Sequence, residues 1–388
     1  TVMAADLAGT PVTSIDAILC GDAHLSNFGV FATPERKLVF DINDFDEVYP
    51  GPWEWDLKRL AASAAVAGRE NGFKEKTCKK LAYVVSQAYR KAMQRFAQER
   101  LLDVWYYHVE AEQVLDVFDR HSKKGAKSAE KMVKKAQRKT HEQTMEKLTE
   151  YVDSRRQIIS DPPLLVRLSE FLSEEQKDQF TKQDVDKAWS DYVSSLPEER
   201  RMLLSRFRVA DGALRVGGVG SVGTRCWIVL LEGSSEDDAL ILQQKEAGQS
   251  VLEAHLGKKV YASPSQRVVV GQRLMQASSD IFLGWHKSAL TGVHYYWRQL
   301  KDMKGSVEVA DLDESGLATY LGVCSVCLAR AHARTSDASG IAGYLGKNDS
   351  FDNAIVDFAV AYADQTERDY EALEKAVKSG RVAAERGI

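Results

Sequence analysis

The chain has 388 residues, 44% of them hydrophobic and 28% charged, and a formal net charge of −4. This balance is typical of a globular protein, and it excludes wholesale disorder and a globally basic nucleic-acid binder. No apolar run approaches the roughly 20 residues of a membrane-spanning helix, so we expect no membrane segment. Five cysteines in a chain of this length are typical of a reducing compartment, and we expect a cytoplasmic protein.

The N-terminal half begins with strand-like and continues with helix-like patterns. Residues 17–20 form a short apolar run, and residues 27–31 and 38–42 flank a turn, which predicts a β-hairpin. Apolar residues recur at helical spacing from 53 to about 102, and residues 103–205 look mostly helical.

The pattern changes near residue 207, where a glycine-rich segment at 216–223 precedes several strand-like runs. The predicted strands are 226–231, 239–245, 267–270 and 294–300. Helical spacing returns at about residue 311 and continues to the end of the chain. The chain is therefore predicted to be helical, then β-rich for about a hundred residues, then helical again.

Two polar clusters near the start of the chain indicate a catalytic site. Asp22 and Asn27 stand in a short turn between apolar segments. Phosphoryl transfer uses such a pair, a carboxylate that takes the acceptor hydroxyl proton and an amide oxygen that binds a divalent metal. A second, acidic cluster follows the hairpin and has the carboxylate oxygens that Mg²⁺ prefers. Its members are Asp41, Asp44, Asp46 and Glu47. Antiparallel pairing would bring the two clusters together, whereas any one of these acids alone is more typical of a capped, solvated surface turn.

The glycine-rich segment contains a G-x-G-x-x-G pattern at Gly218, Gly220 and Gly223. This pattern occurs in Rossmann turns, which lead into a helix, and in hairpins that cover nucleotide phosphates. The residues that follow favour a strand, so the hairpin is the better interpretation, with Ser221 in the covering loop. A plain hairpin without a ligand remains the alternative.

A lysine follows on a later strand, as expected if the glycine-rich hairpin covers nucleotide phosphates. Lys245 ends the predicted strand 239–245 and could reach the α- and β-phosphates of a nucleotide. Glu253 lies in a helical-looking segment and could pair with Lys245, which Glu246 is less suited to do because it is adjacent in sequence. An exposed strand lysine and a solvated helix face are the simpler alternatives, and for Glu253 the simpler one is preferred.

Together these segments resemble the catalytic region of aminoglycoside phosphotransferases and related small-molecule kinases of the protein-kinase-like fold. That family has the pattern His-Gly-Asp-x-His-x-x-Asn, a hairpin, Asp-Phe-Gly or a variant, and Asp-Leu-Ala on a helix. Here the corresponding residues read CGDAHLSN at 20–27, DFD at 44–46 and WDL at 55–57. Cys20 stands where the family usually has His, a position that is largely structural.

The resemblance implies a role for each matching residue. Asp22 would be the base or the group that orients the acceptor hydroxyl, and Asn27 and Asp44 would hold Mg²⁺. Asp46 would be a possible extra ligand. Asp44 matches the metal-binding position better than Asp41 because it precedes a phenylalanine and stands twelve residues before the Asp of the WDL segment.

The order of the motifs differs from that family, in which the glycine-rich loop and lysine precede the catalytic loop. Either one match is coincidental, or the chain is circularly permuted, with the small β-rich lobe inserted into the helical lobe. The helix–β–helix pattern favours permutation, and residues 317–332 resemble the helix that leads into the catalytic loop. We therefore predict an α+β, two-lobed, protein-kinase-like fold in permuted order. The predicted divisions are a helical lobe at 1–205, a nucleotide-binding lobe at 206–305 and the rest of the helical lobe at 306–388.

Nearly the whole chain also resembles a bacterial family known as a domain of unknown function. Six segments carry this likeness: 3–7, 21–29, 43–47, 51–56, 272–276 and 331–334. The resemblance implies a distant kinship to kinase-like phosphotransferases and identifies no substrate.

The sequence thus predicts an ATP- and Mg²⁺-dependent phosphotransferase that acts on a hydroxyl of a small-molecule acceptor. A nucleotide-binding regulator without transfer activity and a nucleotidyl transferase that adds AMP remain open. A module that binds an anionic polymer through residues 120–147 is a third alternative, since this segment has ten Lys or Arg against three Glu. It has no aromatic residue, which disfavours base stacking, and a solvated helix is the simpler interpretation. Cys324 and Cys327 form a lone C-x-x-C at helical spacing, which favours a buried helix face over a metal site.

Overall fold

The structure, a computed structural model, is a mixed α and β fold with several small sheets. It describes residues 1–138, 141–153, 155–171, 182–216, 223–235, 238–257, 260–300 and 303–384. Its helices are α1 (Val2–Ala8), α2 (Glu54–Glu70), α3 (Glu75–Phe96), α4 (Leu101–Tyr106), α5 (Ala111–His121), α6 (Lys123–Arg138), α7 (His141–Leu148), α8 (Leu168–Phe171), α9 (Lys182–Ser194), α10 (Glu198–Leu204), α11 (Glu253–Leu256), α12 (Pro264–Met275), α13 (Glu314–Thr335), α14 (Ala338–Leu345) and α15 (Ser350–Lys378). Within these ranges, every helix is too short or too polar to cross a membrane.

Among the described residues, the strands form one large and three small sheets, and every paired strand is antiparallel. They are β1 (Asp16–Leu19), β2 (Phe28–Ala32), β3 (Leu38–Ile42), β4 (Tyr49–Pro52), β5 (Val109–Glu110), β6 (Thr149–Val152), β7 (Arg155–Ile158), β8 (Leu165–Arg167), β9 (Arg208–Arg215), β10 (Cys226–Glu232), β11 (Ala239–Glu246), β12 (Gly284–Lys287) and β13 (His294–Gln299). The large sheet has the order β12-β13-β11-β10-β9-β8, and the small ones are β2-β3-β5, β1-β4 and β6-β7.

A helical body is built from both ends of the chain. Helix α13 packs on α3, and α15 packs on both α2 and α3. At the centre, the Trp53 ring stacks on Tyr89 with centroids 5.5 Å apart. A buried ion pair joins α3 to α15, with Arg90 Nη2 2.7 Å from Asp352 Oδ2. Ser86 donates a further hydrogen bond of 2.8 Å to the same carboxylate. Segments more than 250 residues apart in sequence therefore share one core.

The six-stranded sheet is connected to this body by a backbone bridge. Val30 of β2 and Gly305, which follows β13, exchange two hydrogen bonds of 2.8 and 3.0 Å. A side chain at Gly29 would meet the carbonyl oxygen of Gly305, because a Cβ there would lie 2.4 Å from it. The absence of a side chain at Gly29 therefore allows the two backbones to approach.

Most predicted elements are confirmed. The run 17–20 lies largely in β1, the hairpin is β2–β3, and the strands predicted at 226–231, 239–245 and 294–300 are β10, β11 and β13. The helical regions beginning near 53 and 311 are also present.

The strand predicted at 267–270 is wrong, because these residues lie inside α12. Three consecutive valines favour a strand by propensity, but the local start signal is helical. The Ser263 side chain caps the helix by accepting a hydrogen bond from Gln266 N, and Pro264 occupies the first turn. Tertiary packing then buries Val268 and Val269.

The predicted divisions at 205/206 and 305/306 stay predictions. Strand β8, which precedes the first division, pairs with β9. Helices α9 and α10 also precede it, and Tyr192, Leu204 and Leu196, which lies between the two helices, pack in one cluster with β10 and β11 residues. The sheet thus includes contacts from residues well before 206.

The buried ion pair between α3 and α15 gives a stability prediction. Asp352→Ala leaves the Arg90 guanidinium buried without its carboxylate, and we expect it to lower the free energy of unfolding by about 3–5 kcal/mol. Urea denaturation followed by circular dichroism measures this change. Asp103→Ala removes the exposed Arg100–Asp103 pair and should leave unfolding near that of the wild type. Equal effects of the two variants would contradict the assigned role of the buried pair.

Candidate active site

The turn after β1 is held by a buried carboxylate of helix α2. Asp56 accepts hydrogen bonds from the backbone N–H groups of Cys20, at 2.7 Å, and Gly21, at 3.1 Å. Gly21 has a φ of +82°, and a Cβ there would lie 2.2 Å from the carbonyl oxygen of Glu47. This close approach requires glycine. The two hydrogen bonds that Asp56 accepts, here called the Asp56 clamp, fix the position of the next residue, Asp22.

The clamp extends into the helical body through a buried polar chain. His332 Nε2 lies 3.4 Å from Asp56 Oδ2, and its Nδ1 is 2.8 Å from the Tyr89 hydroxyl. All three side chains are at most 2% exposed. Helices α2, α3 and α13 thus all contribute to the position of the turn.

Asp22, the residue after this clamp, faces solvent beside two basic side chains. Arg59 Nε donates a 2.8 Å hydrogen bond to Asp22 Oδ1, and His24 Nε2 lies 3.7 Å from Oδ2. Burial lowers the pKa of His24, and Arg59 acts in the same direction, against the attraction of Asp22. The Asp22–Arg59 pair, with side chains about half and one-third exposed, forms part of the wall of a cavity of about 630 Å³.

Asn27 joins the Asp22 turn to the acidic loop, which comprises residues 43–48 between β3 and β4. Its side-chain nitrogen donates to the carbonyl oxygens of Asp22, at 3.1 Å, and Asp44, at 3.3 Å. The backbone carbonyl oxygen of Asn27 accepts a 2.9 Å hydrogen bond from Asn43 N. Because the amide nitrogen is held by both loops, the side-chain oxygen is directed away from those two carbonyls. The Asn27 side chain therefore links the backbones of the Asp22 turn and the Asp44 loop.

Asp44 lies in a cleft where nearby cations lower its pKa more than burial raises it. Desolvation by the surrounding protein raises its pKa, but Lys245 and Arg298 oppose this, and the net effect is a pKa below the usual range. Its Oδ1 accepts a 3.2 Å hydrogen bond from Asp46 N. Asp44 is thus an ionised carboxylate open to solvent between the sheet and the loop.

Lys245 meets the acidic loop across the cleft. Its ammonium group forms an ion pair with Asp46, and the lysine side chain is only 8% exposed. The other Asp46 oxygen accepts a 2.8 Å hydrogen bond from Tyr296, the residue directly opposite Lys245 on β13. Both residues that hold the Asp46 carboxylate therefore belong to the large sheet.

Glu253 does not pair with Lys245, a pairing that the sequence offered only as the less favoured alternative. Glu253 Oε1 instead accepts a 3.4 Å hydrogen bond from Ser250 N and lies 3.8 Å from Arg267 Nε. The reason is geometric, because Lys245 points from β11 towards Asp46, whereas Glu253 begins the separate short helix α11.

Arg267 anchors the acidic loop from the other side. Its guanidinium donates to the carbonyl oxygens of Val48, Asp46 and Gly248 at 2.7, 2.8 and 2.9 Å. Arg267 is 1% exposed, and burial lowers its pKa. One side chain of α12 thus fixes two loops that border the site.

Asp41, the alternative metal-binding position, is engaged in a buried ion pair with Arg330. Its carboxylate is 3% exposed and forms an ion pair with Arg330 Nη2 at 2.5 Å. Of the two candidate acids, Asp44 is the one that opens into the cleft.

Part of the predicted phosphate loop lies outside the described residues, namely Gly218, Gly220 and Ser221. Gly223 is described, has a φ of +87° and has open space where a Cβ would lie. The described flanks of this segment are β9 and β10, which pair antiparallel with Trp227 opposite Leu214. The segment therefore connects two strands, and a strand-to-helix Rossmann turn is excluded.

Other candidate metal and anion sites receive simple explanations. In the part of the chain that the structure describes, no three His, Cys, Asp or Glu side chains cluster as a metal site. Cys324 and Cys327 are free and buried, which confirms the helix-face interpretation. Helix α6 of the basic segment buries its alanines and leaves most of its lysines exposed, as expected of a solvated helix.

Three functional candidates had no role assigned from sequence: Arg59, Arg267 and Tyr296. Arg59 meets Asp22, which lies 37 residues away in sequence, only through the fold. Tyr296 and Arg267 approach Asp46 only through the fold, and no sequence pattern indicates that contact.

The comparisons with known proteins place the chain in a bacterial family. The family described as "uncharacterized protein conserved in bacteria (DUF2252)" matches residues 1–376. The chain belongs to this family. No curated protein and no solved structure matches the chain. Membership confirms the resemblance to a bacterial family of unknown function and does not test an activity.

The Asp56 clamp generates a local prediction. Asp56→Ala leaves two backbone N–H groups of the turn without an acceptor, and we expect a loss of about 2–4 kcal/mol in unfolding free energy. Hydrogen exchange at the Cys20 and Gly21 amides should accelerate more than exchange in the large sheet. Asp56→Asn retains an acceptor oxygen and should show a smaller change. Unaltered protection of both amides in Asp56→Ala would contradict the clamp.

Proposed function

We propose that the protein is an ATP- and Mg²⁺-dependent phosphotransferase that acts on a hydroxyl-bearing, small-molecule acceptor. The observation that carries this proposal is the Asn27 amide, which ties the Asp22 turn to the Asp44 loop at 3.1 and 3.3 Å. Phosphoryl transfer needs a hydroxyl-orienting carboxylate next to metal-binding oxygens, with little further covalent chemistry from the protein. Asp22 has the first role, and Asn27 and Asp44 have the second.

The large sheet supports a nucleotide site on the other side of the cleft. The glycine-rich segment connects β9 to β10, and Lys245 lies on β11, which pairs with β10. A glycine-rich hairpin followed by a strand lysine is the arrangement that covers and contacts phosphates in kinases. Lys245 would contact the phosphates after exchanging its ion pair with Asp46 for the nucleotide.

A circularly permuted, kinase-like fold is part of this proposal. Its support is that helices from both chain ends share a core while the sheet is formed by the residues between them. The acidic loop and the Asp22 turn belong to the first helical segment, and Lys245 belongs to the sheet. The site would then lie between the two lobes.

The donor set suits Mg²⁺ better than a transition metal. Mg²⁺ keeps several waters and is held by one or two carboxylates plus substrate phosphates, so a cage of three protein acids is not required. Asp44 and the Asn27 side-chain oxygen would bind it, and Asp46 would join when released from Lys245. The ion would neutralise charge on the transferring phosphoryl group.

The acceptor would bind in the cavity of about 630 Å³ beside Asp22. This volume is in the range of small-molecule sites. Arg59 holds the Asp22 carboxylate by its hydrogen bond, so Asp22 is positioned before an acceptor arrives. In this arrangement catalysis consists mainly of positioning and charge neutralisation.

The nucleotide half of the site is tested by ligand-induced thermal stabilisation. We expect ATP with Mg²⁺ to raise the melting temperature of the wild type, and Lys245→Ala and Asp44→Ala to lose most of this increase. Lys287→Ala, which removes an exposed lysine from β12 of the same sheet, is the matched control. Absence of nucleotide stabilisation in the wild type would overturn the proposal.

The acceptor half is tested by transfer. With ATP labelled at both the α- and the γ-phosphate and a bacterial small-molecule extract, Asp22→Ala should reduce labelled product at least 100-fold while retaining the thermal shift with nucleotide. Product masses distinguish an added phosphate from an added AMP. Wild-type nucleotide binding without any product would favour the regulator, and unchanged turnover in Asp22→Ala would refute the role of Asp22.

A further inference from the structure

A small cavity lies between the β2–β3 turn, the end of α12 and strand β13. Its volume is about 120 Å³. Sites for organic molecules usually measure roughly 300–1,000 Å³, so this cavity suits a small ion or a single group of a larger ligand. The described residues of its wall include none of those assigned to phosphoryl transfer.

The wall of this cavity is positively charged. Three cationic side chains line it: Arg36 of the β2–β3 turn, Arg298 of β13 and Lys304 of the segment that follows β13. Asp280 is the one acid in the described wall, and both of its carboxylate oxygens accept hydrogen bonds from backbone N–H groups. The other polar side chains of the wall are uncharged. Three cations against one acid leave an excess of two positive charges.

Arg298 is fixed in the wall by its neighbours on the sheet. It stands two residues from Tyr296 on the same strand, so its side chain lies on the face of the sheet that carries Lys245. Its Nε donates a 2.8 Å hydrogen bond to Oε1 of Gln243, the residue directly opposite on β11. The guanidinium carbon lies 5.8 Å from the centre of the Tyr296 ring. Neither contact uses the two terminal nitrogens of the guanidinium.

Those two nitrogens have no acceptor in the part of the chain that the structure describes, although Arg298 is partly buried. Burial lowers the pKa of the guanidinium. Tyr296, Asp44 and Asp46 oppose that effect and hold the pKa above its usual value, so the group stays charged. Asp46 is itself paired with Lys245. Because a buried charge is normally paired, an external anion would bind to this guanidinium favourably.

We infer that this cavity binds a phosphate group, with the two terminal nitrogens of Arg298 as bidentate donors and with Lys304 and Arg36 as further cations. An excess of two positive charges matches the charge of about −1.5 to −2 that a phosphate group carries at neutral pH. The guanidinium fork fits two phosphate oxygens. The three cations come from different segments, and a tetrahedral anion can meet donors on several sides, whereas a carboxylate has two oxygens in one plane. The inference does not rest on the proposed transfer, because it uses other residues.

The first test is equilibrium dialysis with radiolabelled inorganic phosphate at constant ionic strength, with chloride as the balancing anion. We expect saturable binding of one phosphate per chain. Arg298→Gln should weaken this binding at least tenfold, because two charge-assisted hydrogen bonds are lost. Lys287→Gln removes an exposed charge from the neighbouring strand β12 and should leave the affinity unchanged. Non-saturable binding, or equal affinities of the two variants, would overturn the site.

A second variant guards against misfolding of the first. Lys304→Gln removes another cation of the wall, from a partly exposed position outside the sheet, and should weaken phosphate binding several-fold. Circular dichroism checks the fold of each variant. Wild-type affinity in a folded Lys304→Gln and a folded Arg298→Gln would refute the inference.

Competition establishes the selectivity and the source of the phosphate group. Acetate should displace the label at least tenfold less effectively than unlabelled phosphate, and equal displacement would overturn the assignment to phosphate. Displacement of the label by ATP would show that the site takes a phosphate group of a nucleotide, and retention would show that it takes the free ion. Both results support the cavity as a phosphate site. Phosphate binding without a thermal shift by ATP would refute the proposed nucleotide site alone.

Discussion

The position of Asp56 is the constraint on which the candidate site depends. Its buried carboxylate accepts the two backbone N–H groups of Cys20 and Gly21 and is itself backed by His332. A buried carboxylate is tolerated only when such partners surround it, so the turn, α2 and α13 have to assemble together. Asp22 is placed by this assembly, and its exposure to the cavity is a consequence of the backbone held behind it.

The large sheet is positioned by a second set of charges. Lys245 and Tyr296 both hold Asp46, while Arg267 holds the backbone of the same loop. Without the loop, a nearly buried ammonium group and a buried guanidinium group would lose their acceptors, at substantial cost. The acidic loop therefore stabilises the fold, because its carboxylates neutralise the cations of the sheet. The same carboxylates are the ones that would suit a metal ion.

Local signals predicted much of this structure, and contacts between distant segments were harder to foresee. Alternating apolar residues and turn composition were sufficient for the hairpin β2–β3 and for β10, β11 and β13. The valines at 268–270 favour a strand by propensity, but the Ser-Pro start of α12 makes this segment helical. The proximity of the Asp22 turn and the Asp44 loop followed from hairpin geometry. The ion pair of Lys245 with Asp46 could not be predicted in this way, because Asp46 is 199 residues away in sequence. Glu253, which is near Lys245 in sequence, is not its partner.

The sharing of one core by both chain ends also bears on how the protein is made. Helices α2 and α3 leave the ribosome long before α13 and α15, which cover them. Closing a loop of this length costs entropy, and native contacts of high sequence separation form slowly. During synthesis the apolar faces of α2 and α3, and the Arg90 side chain, therefore stay uncovered until α13 and α15 emerge. Such a nascent chain depends on chaperones more than one whose domains finish in sequence order.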